Sequence, residues 1–178
     1  MSIADRVKES VDKYNSNDLE NALIQTCIAL DGTAKNEFPR IKKNNKRFKA
    51  LVNANMDIIT FFTFNTNVFV NCRFGEYTIE QFVYEVLRCG LLHEGELSAR
   101  FKFAEPGEPV LISNKQWCFP KTFIFGTLLA IIGASSNANQ RVADDLSVMI
   151  MGSRFRINDL WGRADLIRKA IGPPVSNA

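Results

Sequence analysis

Leu19, Leu23, Cys27, Leu30 and Ala34 recur every three or four residues, and Ala22, Ile24 and Ile28 widen the same stripe. A strand would alternate with period two, so this spacing predicts an amphipathic helix over residues 19–38 with a broad apolar face. Pro39 cannot continue the helix and marks its end. Such a helix takes most of its stability from whatever covers its apolar face, so the chain must supply other elements to bury it.

The same periodicity appears elsewhere. Ile3, Val7, Val11 and Tyr14 predict a helix over residues 3–15, after which Ser16, Asn17 and Asp18 interrupt and offer an N-cap for the next. Residues 48–64 carry Leu51, Val52, Met56, Ile58, Ile59, Phe61, Phe62 and Phe64 and read as one largely buried helix, ambiguous at its aromatic end. Residues 65–75 read as a loop with a short strand at Val68-Phe69-Val70. Thr78 and Gln81 have the spacing of a capping box, which starts a further helix near Thr78. Residues 120–134 predict a helix with Pro120 in its first turn. Residues 159–171 predict a closing helix, with Asp159 as cap and Gly172-Pro173-Pro174 as stop. Two stretches alternate instead. Residues 100–104 and Val110-Leu111-Ile112 flank Pro106-Gly107, and residues 146–151 and 154–157 flank Gly152-Ser153; each reads as a hairpin. The expected fold is mainly α: a helical bundle with one or two small β-hairpins. It is read as a single helical domain over residues 1–172 with hairpin insertions, and residues 173–178 as a flexible tail.

A chain of 178 residues suits one domain with a core of its own. With 46% hydrophobic and 23% charged residues it falls among globular proteins. Its 14 Phe residues offer burial without a polar handle, which points to core or interface. Cys27, Cys72, Cys89 and Cys118 form no CxxC pair, and the chain has one His, so no zinc set is spelled out. No metal and no cofactor are expected, and free thiols suit a reducing compartment. The N-terminus has no apolar signal core, and the longest nearly apolar run, residues 123–134, is short of the ~20 residues that span a bilayer. A soluble, cytoplasmic protein without a membrane partner is expected.

Net charge is only +3, but its distribution is uneven. Arg40, Lys42, Lys43, Lys46, Arg47 and Lys49 fall within residues 40–49 with no acid among them. Such a run is ordinarily a solvated loop and helix start. It is also what a phosphate-contacting surface requires, because clustered cations release counterions on meeting an RNA backbone. Other constellations are weaker. Asp144-Asp145 and Asp159 lack the further acids of a magnesium site, and Ser135-Ser136 after Gly133 lacks the GK[ST] of a P-loop. Trp117 and Trp161 are read as packing residues. Arg154 and Arg156 share one strand face, either the wet side of a hairpin or an extension of the basic surface.

Residues 78–96 bring together Arg88, two glycines and His93, the one histidine of the chain. Arg88 and His93 are spaced as R-x4-H at the end of a predicted helix. With the surrounding VLRCGLLHEGE, this resembles the Rx4–6H signature of the HEPN superfamily, most strongly over residues 19–96. The resemblance implies a dimerising helical bundle in which motif helices of two subunits face a shared cleft. It implies metal-independent RNA cleavage, with His93 moving protons and Arg88 holding the phosphoryl oxygens. It also suggests a toxin–antitoxin or antiviral-defence setting, with a protein antitoxin as a further partner. Three features depart from the simplest form of the motif. Cys89 follows Arg88, where many members carry a polar residue. Glu94 and Glu96 flank His93. On an ideal helix, residues five apart point about 140° away from each other, and the stripe Ile79, Phe82, Val83, Val86, Leu87 lies opposite Arg88. Convergence of Arg88 and His93 then needs a distortion near Gly90 or a second subunit. Structural readings stay open beside these. His93 would complement a helix C-terminus, Arg88 would pair with Glu85 or Tyr84 on a solvated face, and Gly95 would end the helix. A non-catalytic HEPN-like module that binds RNA or a protein partner is the alternative function.

Overall fold

The computed structural model describes residues 1–65, 73–74, 76–89, 101–105, 108, 111–112, 116–143 and 146–172. The predicted strand at 68–70, the Asp144-Asp145 pair and the 173–178 tail lie outside the described residues.

Helix α1 (Ile3–Asn15) starts on a reciprocal cap absent from the sequence reading. The Ser2 hydroxyl accepts from the Asp5 N–H at 3.1 Å, and the Asp5 carboxylate accepts from the Ser2 N–H at 2.7 Å. Its buried face, Ala4, Val7 and Ser10, packs on α2 (Leu19–Glu37), the helix predicted from the long stripe. Ser10 keeps its hydroxyl satisfied inside that seam by donating to the Ala22 carbonyl at 2.8 Å. Asp18 occupies the N-cap position of α2, but its carboxylate accepts from the side chains of Asn21 and Lys13 rather than from helix N–H groups.

The single helix expected over residues 48–64 is two. Helix α3 (Asn44–Ala54) and α4 (Met56–Phe64) meet at Asn55, whose φ of −123° breaks the helical run. Asn55 is buried, and its amide donates back to the Leu51 carbonyl at 3.0 Å, which favours the bend over a continued ladder. Helix α6 (Thr122–Gly133) begins two residues after Pro120 and is buried along nearly its whole length among α2, α4 and α8 (Ala164–Ile171). Gly126, a weakness by helix propensity, is what lets α6 lie against α4. A Cβ there would stand 3.0 Å from both the Ile59 carbonyl and the Phe62 Cβ.

The predicted closing helix is also divided, into α7 (Ile157–Leu160) and α8, and Asp159 sits inside α7 rather than capping it. The cause is Gly162. Its φ of +72° suits glycine, a Cβ would fall 2.6 Å from that of Ala138, and its N–H donates to the Ile132 carbonyl at 2.9 Å.

Strands are short. β1 (Arg73–Phe74) and β2 (Tyr77–Thr78) form a minimal antiparallel pair. β3 (Phe101–Phe103) and β4 (Leu111–Ile112) do not pair with each other as the predicted hairpin would. Instead β5 (Trp117–Phe119) inserts between them, parallel to β3 and antiparallel to β4. The second hairpin is present, with its turn one residue earlier than predicted: β6 (Ser147–Ile150) and β7 (Ser153–Arg156) turn at Met151-Gly152 in place of Gly152-Ser153, both at positive φ, the type I′ signature. Its outer face carries Arg154 opposite Met149 and Arg156 opposite Ser147. Buried side chains from α1 through α8, including Trp117 and Trp161, join in one contiguous apolar cluster. The fold is therefore mainly α with small β elements. Among the described residues no helix is long and apolar enough to cross a membrane.

Candidate functional site

The helix that carries Arg88 starts as predicted. The Thr78 hydroxyl accepts from the Gln81 N–H at 3.4 Å, and the Gln81 side chain accepts from the Thr78 N–H at 2.9 Å. α5 (Ile79–Gln81) then runs directly into a π-helical segment, Phe82–Arg88. At its end the Cys89 N–H donates to the Tyr84 carbonyl, five residues back. The i→i+5 bond widens the turn and removes the angular register of an ideal α-helix. Ile79, Phe82, Val83 and Leu87 still point into the core. Arg88, expected on the opposite, solvated face, lies half-buried against α2 with its side chain only 14% exposed.

Arg88 pairs with Asp31, a residue no motif in the sequence marks, and not with Glu85. Nη2 of Arg88 donates to Asp31 Oδ2 at 2.8 Å and Nε to the same oxygen at 3.2 Å. Tyr84, the other predicted neighbour, does contact Arg88: its ring lies 5.4 Å from the guanidinium carbon. Burial pulls the guanidinium pKa down, but the Asp31 carboxylate outweighs that and holds it above its ordinary value. Beneath the pair, Cys27 is fully buried. Desolvation first, then the Asp31 charge, pushes its thiol up to about 12, so it stays protonated and is no nucleophile at neutral pH.

The contact continues into the basic run. Asp31 also accepts from the Asn44 amide at 3.1 Å, the Asn44 oxygen accepts from Arg47 Nη2 at 3.2 Å, and Arg47 Nη1 donates to the Ile41 carbonyl at 3.4 Å. Arg47 is thus turned inward, joining the loop before α3 to α2, and is not an open phosphate ligand. Lys49 is likewise committed, to Glu85 Oε1 at 2.6 Å and over the Tyr84 ring at 5.3 Å. Arg40, Lys42, Lys43 and Lys46 are exposed and have no ion-pair partner among the described residues. Of the six predicted RNA-contacting residues, four form an open cationic surface and two tie that surface to the Arg88 network. Reversing charge at Lys42, Lys43 and Lys46 together is expected to weaken RNA binding and to lower its salt slope by about 2–3, as measured by binding titrations at several salt concentrations. An unchanged slope would make the run ordinary surface.

His93, with Glu94, Gly95 and Glu96, lies outside the described residues, so the structure gives the position of one member of the R-x4-H pair only. Elsewhere, the Ser135-Ser136 turn is already filled. The Glu37 carboxylate accepts from the Ser135 hydroxyl at 2.7 Å and the Ser136 N–H at 2.8 Å. Burial pushes that carboxyl up, and these two bonds more than reverse it, leaving its pKa lowered. Among the described residues no group of His, Cys, Asp and Glu is arranged to hold a metal.

A family model, Rv1289, matches residues 2–174, nearly the whole chain. No curated protein matches the chain, and no solved structure does.

Proposed function

The chain belongs to the Rv1289 family, and from the residues of its candidate site we propose that it is a HEPN-like, metal-independent endoribonuclease acting as a homodimer in the cytoplasm. The observation that carries this reading is the setting of Arg88. It is a charged fork fixed in orientation by Asp31, with a small part of its side chain reaching solvent, and networked to a surface of uncompensated cations. A phosphodiester guided by Arg40, Lys42, Lys43 and Lys46 would reach Arg88 along the Arg47–Asn44–Asp31 contacts that join the two. In the reaction, His93 takes the proton of the RNA 2′-hydroxyl as its oxygen attacks the adjacent phosphorus. The P–O5′ bond breaks, the 5′-oxygen takes up a proton, and a 2′,3′-cyclic phosphate remains. Arg88 stabilises the charge that builds on the phosphoryl oxygens. The second subunit supplies a second His93 for the returning proton, and a toxin–antitoxin or defence role with a protein antitoxin fits such an activity.

One observation favours the second reading, a non-catalytic module that binds RNA or a protein partner: Asp31 neutralises much of the Arg88 charge before substrate arrives. Single-stranded RNA incubated with the purified chain in excess EDTA separates the two. Fragments ending in a cyclic phosphate, formed by the wild type and absent with His93→Ala, are the expected result. No breakdown, or breakdown equal in both proteins, excludes the nuclease and leaves the binding module.

A further inference from the structure

Tyr84 sits inside the Arg88 network with an unused functional group. Its ring is held from several directions. Phe48, fully buried, meets it edge-on at 5.3 Å and 68°. Lys49 Nζ lies 5.3 Å and Arg88 Cζ 5.4 Å from the ring centre. Lys49 is anchored in turn by Glu85, and Arg88 by Asp31. Each of these contacts uses the ring, and none uses the hydroxyl. That hydroxyl has no hydrogen-bond partner among the described residues, and it is not sealed from solvent. A tyrosine kept only for packing and cation–π attraction would serve as well as phenylalanine, and a buried or half-buried hydroxyl ordinarily finds a partner.

We infer that Tyr84 is a further phosphate-binding residue of this site, its hydroxyl donating to an oxygen of the RNA phosphodiester that Arg88 holds. The inference rests on the RNA reading above and names one more of its ligands. Three features support it. Contacts on the ring from Phe48, Lys49 and Arg88 favour one position for the donor, and preorganised donors lose little freedom on binding. The two cations at its ring are each shared with a carboxylate, and the Arg88 fork beside it is the group that draws a phosphate to this position. Desolvation pushes the phenol above its ordinary pKa, so it carries its proton at neutral pH and can only donate to an ionised phosphate. A non-bridging phosphate oxygen has lone pairs enough to accept from the Arg88 fork and the Tyr84 hydroxyl together. The site also gains a polar group that Cys89, the residue directly after Arg88, supplies only weakly.

The test uses the full chain labelled with 3-fluorotyrosine and observed by fluorine NMR. The chain has three tyrosines, Tyr14, Tyr77 and Tyr84, and Tyr84→Phe assigns the resonance of the third by deleting it. The titrant is a single-stranded 2′-O-methyl oligoribonucleotide, whose blocked 2′-oxygen prevents cleavage. The expected result is movement of the Tyr84 resonance on titration and binding about three- to ten-fold weaker in Tyr84→Phe, the range of one lost hydrogen bond. Tyr14→Phe is the matched control, since Tyr14 also carries a cation, Lys121, over its ring at 5.6 Å; it is expected to bind as the wild type does. Binding that is equal in wild type and Tyr84→Phe, or that leaves the Tyr84 resonance unmoved, overturns the assignment alone. A Tyr84 response to polyglutamate but not to the oligonucleotide overturns it in favour of an acidic peptide. No oligonucleotide binding by the wild type overturns the assignment together with the RNA reading.

Discussion

Phe119→Ala is expected to lower the free energy of unfolding by about 3–5 kcal/mol, the range for deleting a buried aromatic ring. Phe119 is fully buried on β5. Its ring stacks on Phe82 at 5.0 Å and 11°, and meets Phe101, Phe123 and Phe64 at 5.9, 5.6 and 6.0 Å. Those partners belong to the π-helical segment, to β3, to α6 and to α4. One side chain therefore joins the small sheet to the helices, and truncation opens a cavity that rigid elements on every side cannot close. Because a domain is stable by only about 5–15 kcal/mol, the loss is a large fraction of the whole. Urea denaturation would read it as a fall in midpoint with little change in slope. A loss below about 1 kcal/mol would mean that the cluster collapses around the vacancy. The position also matters to the candidate site. Phe82 begins the segment that ends at Arg88, so Phe119→Ala is expected to loosen Arg88 without touching any residue near it.

The stripes of α1 and α2, the capping box at Thr78 and the β6–β7 turn were legible because each is a local pattern. Side-chain period, a hydroxyl three residues before an amide, and a glycine between two alternating stretches are all written within a few positions. What escaped the sequence was decided at a distance. Gly162 ends α7 because Ala138 and the Ile132 carbonyl occupy the space and the bond that a continued helix would need. β3 pairs with β5 in preference to its nearer neighbour β4, and nothing in an alternating stretch names its partner. In the site, the motif picked out Arg88 and the charge run picked out the basic loop, yet neither signal located Asp31. Asp31 is an ordinary polar position beside the buried stripe of α2, and it acquires its role only through Arg88, 57 residues later. An acid lying next to the apolar face of the longest helix was the one available hint. The π-helical turn was invisible because its buried residues, Ile79, Phe82, Val83 and Leu87, also satisfy an α-helical spacing.

Arg88→Ala and Asp31→Asn are expected to move in different directions, and the contrast decides what the pair is for. Loss of the Arg88 fork removes the donor aimed at the developing phosphoryl charge. RNA cleavage should then fall by about 10²–10³-fold, the cost of one such donor. His93→Ala should fall by a comparable or larger factor, about 10²–10⁴-fold, through loss of proton transfer. Arg88→Lys keeps the charge without the planar fork, and so should recover part of the RNA affinity but little of the rate. Asp31→Asn does the opposite to the electrostatics. It leaves Arg88 positive and without its carboxylate, while the amide still offers an acceptor. With the two side chains 14% and 20% exposed, solvent screens part of the lost attraction, so the expected destabilisation is about 1–3 kcal/mol. The freed guanidinium should bind RNA more tightly and with a steeper salt dependence, while kcat falls because the fork is no longer held in one orientation. A KM that drops together with kcat in Asp31→Asn is therefore the signature of a carboxylate that orients Arg88 toward a phosphate. If instead Asp31→Asn and Arg88→Ala lose stability alike and change RNA binding only in proportion to the unfolded fraction, the pair is a structural tie between α2 and the π-helical segment, and the nuclease reading loses its support.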